Sequence, residues 1–573
     1  MILQALVSYY EALAQKGEIA QPGWAPAKVS YALELNDDGK ITNIISLRQP
    51  DKGGKKLLPR VLEVPAQVKR SSGISPNFLC DNCAYVFGVA EGDKAKRSED
   101  CFTACKTLHH KYLDGLEEDA AKAVLLFFDT WEASAFSDIV PEEERRADLL
   151  KGANLVFFYQ GQFVQTIPSV RQAWQKNYLK GEGVSLPCLV TGEIAPAAKL
   201  HPSIKGIAGA QSSGASLVSY NAPAFCSFNR EQGLNAPTSE YAAFAYGAAL
   251  NYLIATQDYN RIGDTTVLFW AENGVNQYRS MMNFCCFGKV PENYSSQDLR
   301  SIVRDIVAGR PSDFDSERLD PNMNFYLLGL SPNAARLSVR FFFRRSFGEF
   351  IRNIEAHQER LEITPRADRP ITIWELVNET VNQKSKDKMP SPNMAGEMLR
   401  AILNNTAYPS TLLNGIRLRI RADRTINRNR AAMVKAYYLK RPHPDISKEV
   451  LQMSLNPECT DEAYVLGRMF SVLEHIQSCA NPGINTTIRD RYFNSASATP
   501  SVVFPTLVNL AQKHLKKIRG GLAVTLDRQL TDIIGMLGTG YPIRLSLPQQ
   551  GAFQLGYYHQ TAVRFTKKEE NNQ

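Results

Sequence analysis

The alternation of apolar and polar positions divides this chain into a mixed front portion and a helical rear. Residues 2–15, ILQALVSYYEALAQ, repeat apolar side chains at helical spacing and predict an amphipathic helix. VSYALEL and KITNIISL alternate with period two, and Asn36-Asp37-Asp38-Gly39 between them ends in the Asp-Gly pair of a tight turn, so a hairpin is predicted over 29–47. A strand is expected near 60–68, helices over 117–136 and 141–151, and a strand pair in ANLVFFYQGQFVQTI. Residues 187–230, rich in Gly, Ser and Ala, predict loops between short strands; a helix over 238–256 follows, then strands in TTVLFWA, NFYLLGLS and LSVRFFFRR. From Phe347 onward helical spacing dominates, and no repeat of fixed period occurs. The expected fold class is α+β, a mixed α/β N-terminal body followed by an all-helical C-terminal bundle. The polar stretch QKSKDKMPSPNMAG (383–396) reads as a linker. It sets expected divisions at 1–382, at 383–452 for the linker and a basic helical segment, and at 453–573 for the bundle.

A length of 573 residues exceeds the roughly 250–300 at which a single core stops growing, and 44% hydrophobic with 22% charged residues suits a soluble protein. The uncharged helical stretch Tyr241 to Gln257 holds three tyrosines and Asn251 and reads as a buried helix, so no membrane association is expected. The first residues lack a basic lead and Glu11 interrupts their apolar run, so no signal peptide is expected. With ten scattered cysteines this predicts reduced thiols and a cytoplasmic location.

The net charge of +8 is mild, so its placement matters more than its size. GIRLRIRADRTINRNRAAMVKAYYLKR, residues 415–441, sets Arg417, Arg419, Arg421, Arg424, Arg428, Arg430, Lys435, Lys440 and Arg441 against the single Asp423. Such a density predicts phosphate contacts, with Tyr437 and Tyr438 available for base stacking; the alternative is that the cations pair with acids elsewhere or pack against a partner protein. Arg468, Arg489, Arg491, Lys513, Lys516 and Lys517 follow in the terminal helices, where a dry core with cations outside suits holding a polyanion rather than cutting one.

Two segments are suited to reading duplex DNA. In KRSSGISPNFLCDNCAYVFG, residues 69–88, Lys69 and Arg70 can neutralise phosphates, Ser72 can donate, and Asn77 and Asn82 match base edges; alternatively Asn77 and Asp81 cap turns. In residues 204–244, Gly206, Gly209 and Gly214 permit close backbone approach beside Lys205. Gln211, Ser212, Ser213, Asn221, Gln232 and Asn235 there supply amides and hydroxyls that can read base edges or wedge between base pairs.

Catalytic signals are lacking. The Gly-Lys pairs have neither the spacing nor the following Ser or Thr of a phosphate loop, zincin motifs are absent, and no His-Asp cluster or two-metal carboxylate pair occurs. No enzyme activity and no cofactor are expected; a metal-dependent nuclease is the alternative. Cys80-x-x-Cys83 with Cys101-x-x-x-Cys105 approximates a zinc ribbon, with His109 as a substitute ligand. Against it, CFTACKTLHHKYL reads as a helix in which half-buried thiols need no metal, so the expectation is no metal.

LPCLVTGEIAPAAKLHPSIKGIAGAQSSGASLVSYN, NFYLLGLSPNAARLSVRFF, RIRAD, YVLGRMFSVLEHIQ, TIRDRYFNSASATP and QGAFQLGYYHQ occur in that order. Together they resemble the large subunit of the type I-C CRISPR surveillance complex, Cascade, over nearly the whole chain; Cys83 departs from the family pattern. The resemblance implies a non-catalytic subunit of a crRNA-bearing complex, in contact with its backbone and crRNA-processing subunits. It implies reading of the protospacer-adjacent motif on double-stranded target DNA, initiation of strand opening, contact with the displaced single strand, and recruitment of a helicase-nuclease in trans. It further implies small subunits made by internal translation. Met453 is the start expected here, since Lys448-Glu449 can be encoded as a ribosome-binding sequence three codons upstream.

Overall fold

The computed structural model describes residues 1–50, 57–68, 70, 73–91, 95–178, 183–256, 260–366, 369–386, 388, 390–538 and 540–570, without the side chains of 95–96, 177–178, 392 and 566–570. It forms two compact units, residues 1–205 with 216–255 and residues 206–215 with 256–573.

In the first unit the predicted helix forms as α1 (Ile2–Gln15), burying Leu6, Tyr9, Tyr10 and Leu13. Strand β1 (Trp24–Val29) precedes the predicted hairpin of β2 (Tyr31–Leu35) and β3 (Ile41–Ser46). Gly39 closes the turn at φ +72°, a left-handed conformation that side chains with a Cβ resist. Strand β4 (Arg60–Pro65) pairs antiparallel with β1. The main sheet has the order β3-β2-β6-β5, with β5 (Cys80–Asn82) antiparallel to β6 (Asn154–Tyr159) and β2 parallel to β6. Parallel pairing needs a long crossover. It includes the short helix α2 (Cys83–Val86), α3 (Ala95–Leu113) and α4 (Asp119–Thr130). Leu33 and Phe157 of the sheet share one core with Phe78, Phe127 and Phe128. The uncharged stretch lies in α5 (Glu240–Thr256), where the Asn251 amide accepts from the Lys205 N–H at 2.9 Å and donates to the Ser203 carbonyl at 3.2 Å. Among the described residues no helix is long and apolar enough to cross a membrane.

The second unit opens with β7 (Thr265–Ala271), buried at every residue, then α6 (Gln277–Phe287) and α7 (Ser296–Val307). Strand β8 (Asn324–Asn333) pairs antiparallel with β7 and with β9 (Arg336–Ser346), and all three strands lie where the sequence predicts strands. Helices follow: α8 (Phe347–Leu361), α9 (Ile373–Asn378), α10 (Pro392–Leu403), α11 (Ser410–Asp423) and α12 (Arg428–Lys440). The terminal bundle comprises α13 (Glu462–Ala480), α14 (Ile488–Ala498), α15 (Pro500–Leu515), α16 (Gly521–Gly535) and α17 (Leu547–Glu570). The α+β class is thus observed, with helices taking over after Ser346. A single core continues from Ile262 to Ala562, so positions 383 and 453 both fall within one unit. The stretch read as a linker contains the first turn of α10, whose Ala395, Met398 and Leu399 join that core.

Helix α13 is buried on all sides, and its closest neighbour is α17. A Cβ at Gly467 would stand 2.0 Å from the Phe553 carbonyl oxygen, and one at Gly556 2.1 Å from that of Tyr464. Each helix therefore presents a glycine to the other's backbone, and the two chains cross closer than any side chain allows. Polar pairs line this contact: Tyr464 Oη with His559 Nδ1 at 2.9 Å, Arg468 Nε donating to Gln560 Oε1 at 3.2 Å, and the Tyr557 hydroxyl donating to Glu474 at 2.6 Å.

Gly556→Val is expected to lower unfolding stability by about 3 kcal/mol, the upper end of overpacking costs, read from denaturant unfolding. Burial pushes the imidazoles of His109 and His559 down to about 4 and that of His357 to about 3. These values lie below the roughly 6.5 of an unfolded chain, so the unfolded state takes up the protons first. Stability should therefore fall as pH drops from about 6.5 towards 4, which thermal unfolding at stepped pH will register.

Candidate nucleic-acid interface

Arg70 and residues 75–85 gather around one buried carboxylate. Asp81 is 2% exposed and accepts from the N–H groups of Asn77 and Asn82, each at 2.8 Å, while the Arg70 guanidinium bridges both its oxygens. Arg70 also donates to the Ser75 carbonyl at 2.6 Å and lies 3.8 Å over the Tyr85 ring. Burial raises the Asp81 pKa while Arg70 and the two N–H groups oppose it. The Asn77 side chain is buried and accepts from the Val68 N–H at 2.8 Å, and Asn82 caps α2 by accepting from the Ala84 N–H at 3.2 Å. For Asn77 the turn-capping alternative holds, because its oxygen is engaged and sealed from solvent. Arg70 likewise spends its charge inside the fold. Lys69 and Ser72 lie outside the described residues.

Segment 205–235 is more open. Gln211, Ser212 and Ser213 belong to the second unit and are exposed on a turn closed by the Gly214 N–H donating to the Gln211 carbonyl at 2.9 Å. Gly206, Gly209 and Gly214 all adopt positive φ, as a loop that doubles back requires. Lys205, Asn221 and Gln232, in the first unit, are also exposed. Asn235 is not a reader but a clasp. Its oxygen accepts from the Ser227 N–H at 2.8 Å, and its amide donates to the carbonyls of Arg230 at 2.8 Å and Gln232 at 3.0 Å.

That clasp holds up a residue the sequence analysis missed. Phe228 is 96% exposed at the tip of a two-residue turn, where Phe228 (φ +51°) and Asn229 (φ +56°) are both left-handed. Each such residue costs about 1 kcal/mol or more, so the turn sustains strain to hold a phenyl ring in water. The signal was a lone aromatic in the polar run Ser227-Phe228-Asn229-Arg230, unlike the periodic aromatics of the core.

The basic run 415–441 proves largely internal. Arg430 is 7% exposed at its side chain and bonds Glu379 and Asp423, both at 2.8 Å, plus the Thr425 carbonyl. Arg419 pairs with Asp423. Arg417 donates to the Tyr438 hydroxyl and to the Leu547 carbonyl, and Arg428 to the Pro365 carbonyl. Buried Lys435 donates to the Glu362 carbonyl, and desolvation brings its pKa down to about 8. In the bundle, Arg468 is buried and Arg489 faces Glu474. These seven side chains are engaged within the fold, and three of them, Arg419, Arg430 and Arg489, face acids as the alternative reading has it. Tyr437 and Tyr438 are buried, which removes them from base stacking.

Arg421, Arg424, Arg491, Lys513, Lys516 and Lys517 are exposed and make no side-chain hydrogen bond or salt bridge among the described residues. Asn494 of α14 donates to the Arg421 carbonyl at 3.1 Å, which sets the end of α11 against the helix that carries Arg491. Arg424 caps α11 in the left-handed region at φ +54°. The three lysines cluster at the C-terminal end of α15, where they also meet its negative dipole end.

The four cysteines of the ribbon-like spacing do not converge. Cys80 packs with Val29, Val64 and Val156, whereas Cys83, Cys101 and Cys105 belong to the other core of that unit. Burial pushes the thiols of Cys80 and Cys83 up to about 12, unlike the thiolates a zinc ion needs. His109 accepts from the Leu79 N–H through Nε2 at 3.0 Å and meets the Cys105 carbonyl through Nδ1 at 2.8 Å, so both nitrogens are engaged. Among the described residues no three His, Cys, Asp or Glu side chains are grouped to hold a metal ion.

A family model described as CRISPR-associated protein (Cas_Csd1) matches residues 6–565. No curated protein matches the chain.

Replacing Arg421, Arg424 and Arg491 together by Ala should leave stability within about 0.5 kcal/mol. The slope of log affinity for single-stranded DNA against log salt should shrink by about 2, from three lost phosphate contacts. Arg430→Met should instead cost about 3 kcal/mol by stranding its carboxylates, as denaturant unfolding will show.

Proposed function

Because the chain belongs to the CRISPR-associated Cas_Csd1 family, and is thereby a large subunit of Cascade, we propose that it reads the protospacer-adjacent motif of double-stranded target DNA within a type I-C complex. On this reading it promotes R-loop formation, steadies the displaced strand and helps recruit a helicase-nuclease in trans, in cytoplasmic antiviral defence. Guide RNA pairing selects the target sequence beyond the motif. The observation that carries the reading is the family match over nearly the whole chain.

Within it, Gln211, Ser212, Ser213, Asn221 and Gln232 are the exposed hydrogen-bonding groups for base edges, and Lys205 a phosphate partner. Phe228 is the side chain for insertion between base pairs, since an apolar ring on a pre-strained turn enters a stack without further ordering. Arg421, Arg424, Arg491, Lys513, Lys516 and Lys517 serve the displaced strand. A small subunit translated separately from Met453 would carry α13 to α17 with their own glycine crossing, while in the full chain the core of that unit continues across position 453. Contacts with backbone and crRNA-processing subunits complete the assembly. The metal-dependent nuclease gains no support from a family of Cascade structural subunits.

A binding selection on targets with randomised flanking bases tests the reading. The assembled complex should prefer one flanking motif at least about tenfold, the value of one good base contact, and Gln211→Ala with Asn221→Ala should flatten that preference. Equal binding to every flank would refute it. Phe228→Ala should keep motif binding but slow strand opening, with recovery on a pre-opened target; opening can be read from 2-aminopurine fluorescence. Mass spectrometry of the purified complex should find a species beginning at Met453.

A further inference from the structure

The first unit carries a cleft of about 320 Å³ between α1, α5 and the turn before β1, away from every residue given a role above. Helical spacing puts Glu11 and Gln15 on one face of α1, Gln21 and Pro22 come from the turn, and Tyr241 from the first turn of α5. Glu11 and Gln15 are exposed, and Gln21, Pro22 and Tyr241 half-buried, so a ligand meets side-chain surface on each wall. Buried Tyr10 backs the cleft: its ring stands edge-on to Tyr241 with centroids 6.3 Å apart, and its hydroxyl donates to the Ala20 carbonyl at 3.0 Å. The Tyr241 hydroxyl donates to Glu11 Oε1 at 3.2 Å. Glu11 Oε2 and the amides of Gln15 and Gln21 make no hydrogen bond among the described residues.

Charge selects the ligand. None of the described lining residues is a cation, although the whole chain carries +8. Exposed Glu193, with no side-chain bond among the described residues, adds a second negative charge: burial, then Glu11 and Glu193, push the Tyr241 phenol up to about 12. Glu63, which acts on Tyr10, is already paired with Arg171. A nucleic-acid strand is repelled here, and an apolar group would desolvate Glu11 without a counter-charge. A cation answers every group at once: the carboxylate takes its charge, the tyrosine face attracts it, and the amide oxygens accept its remaining N–H groups. A guanidinium fits better than an ammonium, because its donors fan out in one plane and that plane stacks on a ring. One carboxylate in an open cleft holds a free amine weakly, so the cation must come tethered to a surface that docks around it. We propose that this cleft receives an arginine side chain from a protein subunit of the assembled complex. The guanidinium pairs with Glu11 Oε2, lies against the Tyr241 ring and donates to the amide oxygens of Gln15 and Gln21. Membership of a Cascade complex is all that this docking requires of the function proposed above; motif reading is not involved.

Photo-crosslinking in the assembled complex tests this. With p-benzoylphenylalanine replacing Gln15, irradiation should join the chain to a protein subunit, at a peptide whose arginine is then located by mass spectrometry. Glu11→Arg, an exposed change, should lower that yield about fivefold, the value of one exposed ion pair, while flanking-motif preference stays at wild-type level. Tyr241→Phe, which removes the bond to Glu11 and keeps the ring, should leave the yield intact. Changing the located arginine to Glu should lower the yield in the parent and restore it beside Glu11→Arg, a reciprocity that a merely structural loss does not give. No crosslink to a protein subunit, a crosslink to nucleic acid instead, or an unchanged yield in Glu11→Arg overturns the proposal. A complex without motif preference that still shows the charge exchange overturns the motif-reading function and leaves the arginine in its cleft.

Discussion

The helical half of this protein depends on one backbone-to-backbone crossing. Gly467 and Gly556 let α13 and α17 approach until each helix touches the other's carbonyl oxygens, a distance no side chain permits. Once the axes are that close, hydroxyls, amides and an imidazole meet across the seam with little slack, and Tyr464–His559, Arg468–Gln560 and Glu474–Tyr557 pair in register. These pairs meet in one axial alignment of the two helices, with His559 Nε2 buried and without a partner among the described residues. The crossing therefore sets the axial register of the bundle, and its outer helices follow from there.

Desolvation then decides which cations can act. A buried guanidinium is tolerated only with its partners in place, and Arg430 has Glu379, Asp423 and a carbonyl around it. The same run of sequence that looks like a polyanion grip is mostly the internal wiring of α11 and α12. What reaches solvent unpaired is a smaller set, at the α11–α14 contact and at the end of α15. Charge density along a chain thus overstates charge density on a surface whenever helices turn half their residues inward.

The loops follow the same logic on a smaller scale. Asp81 and Asn235 each draw several backbone and side-chain groups inward, so residues beside them are engaged by the fold. Left outward are Gln232 and the Phe228 ring, beside the Asn235 clasp that bonds Ser227, Arg230 and Gln232. Rigid display lowers the ordering cost of any later contact.

Local pattern alone determined much of this protein: α1, the hairpin closed by Gly39, the strands β7, β8 and β9, and the helical rear. Each is written in spacing of two or 3.6 and in turn residues that act over a few positions. Family resemblance was legible too, because it rests on words of sequence. Tertiary structure decided the rest. Whether Asn77 reads or caps, whether Arg430 faces water or Glu379, whether Cys80 shares a face with Cys83, and whether Phe228 is core or tip all depend on partners far along the chain or on the other side of a sheet. Spacing says which residues share a face; only packing says what that face meets, and burial without a partner is what sets the chemistry of a charged or polar group.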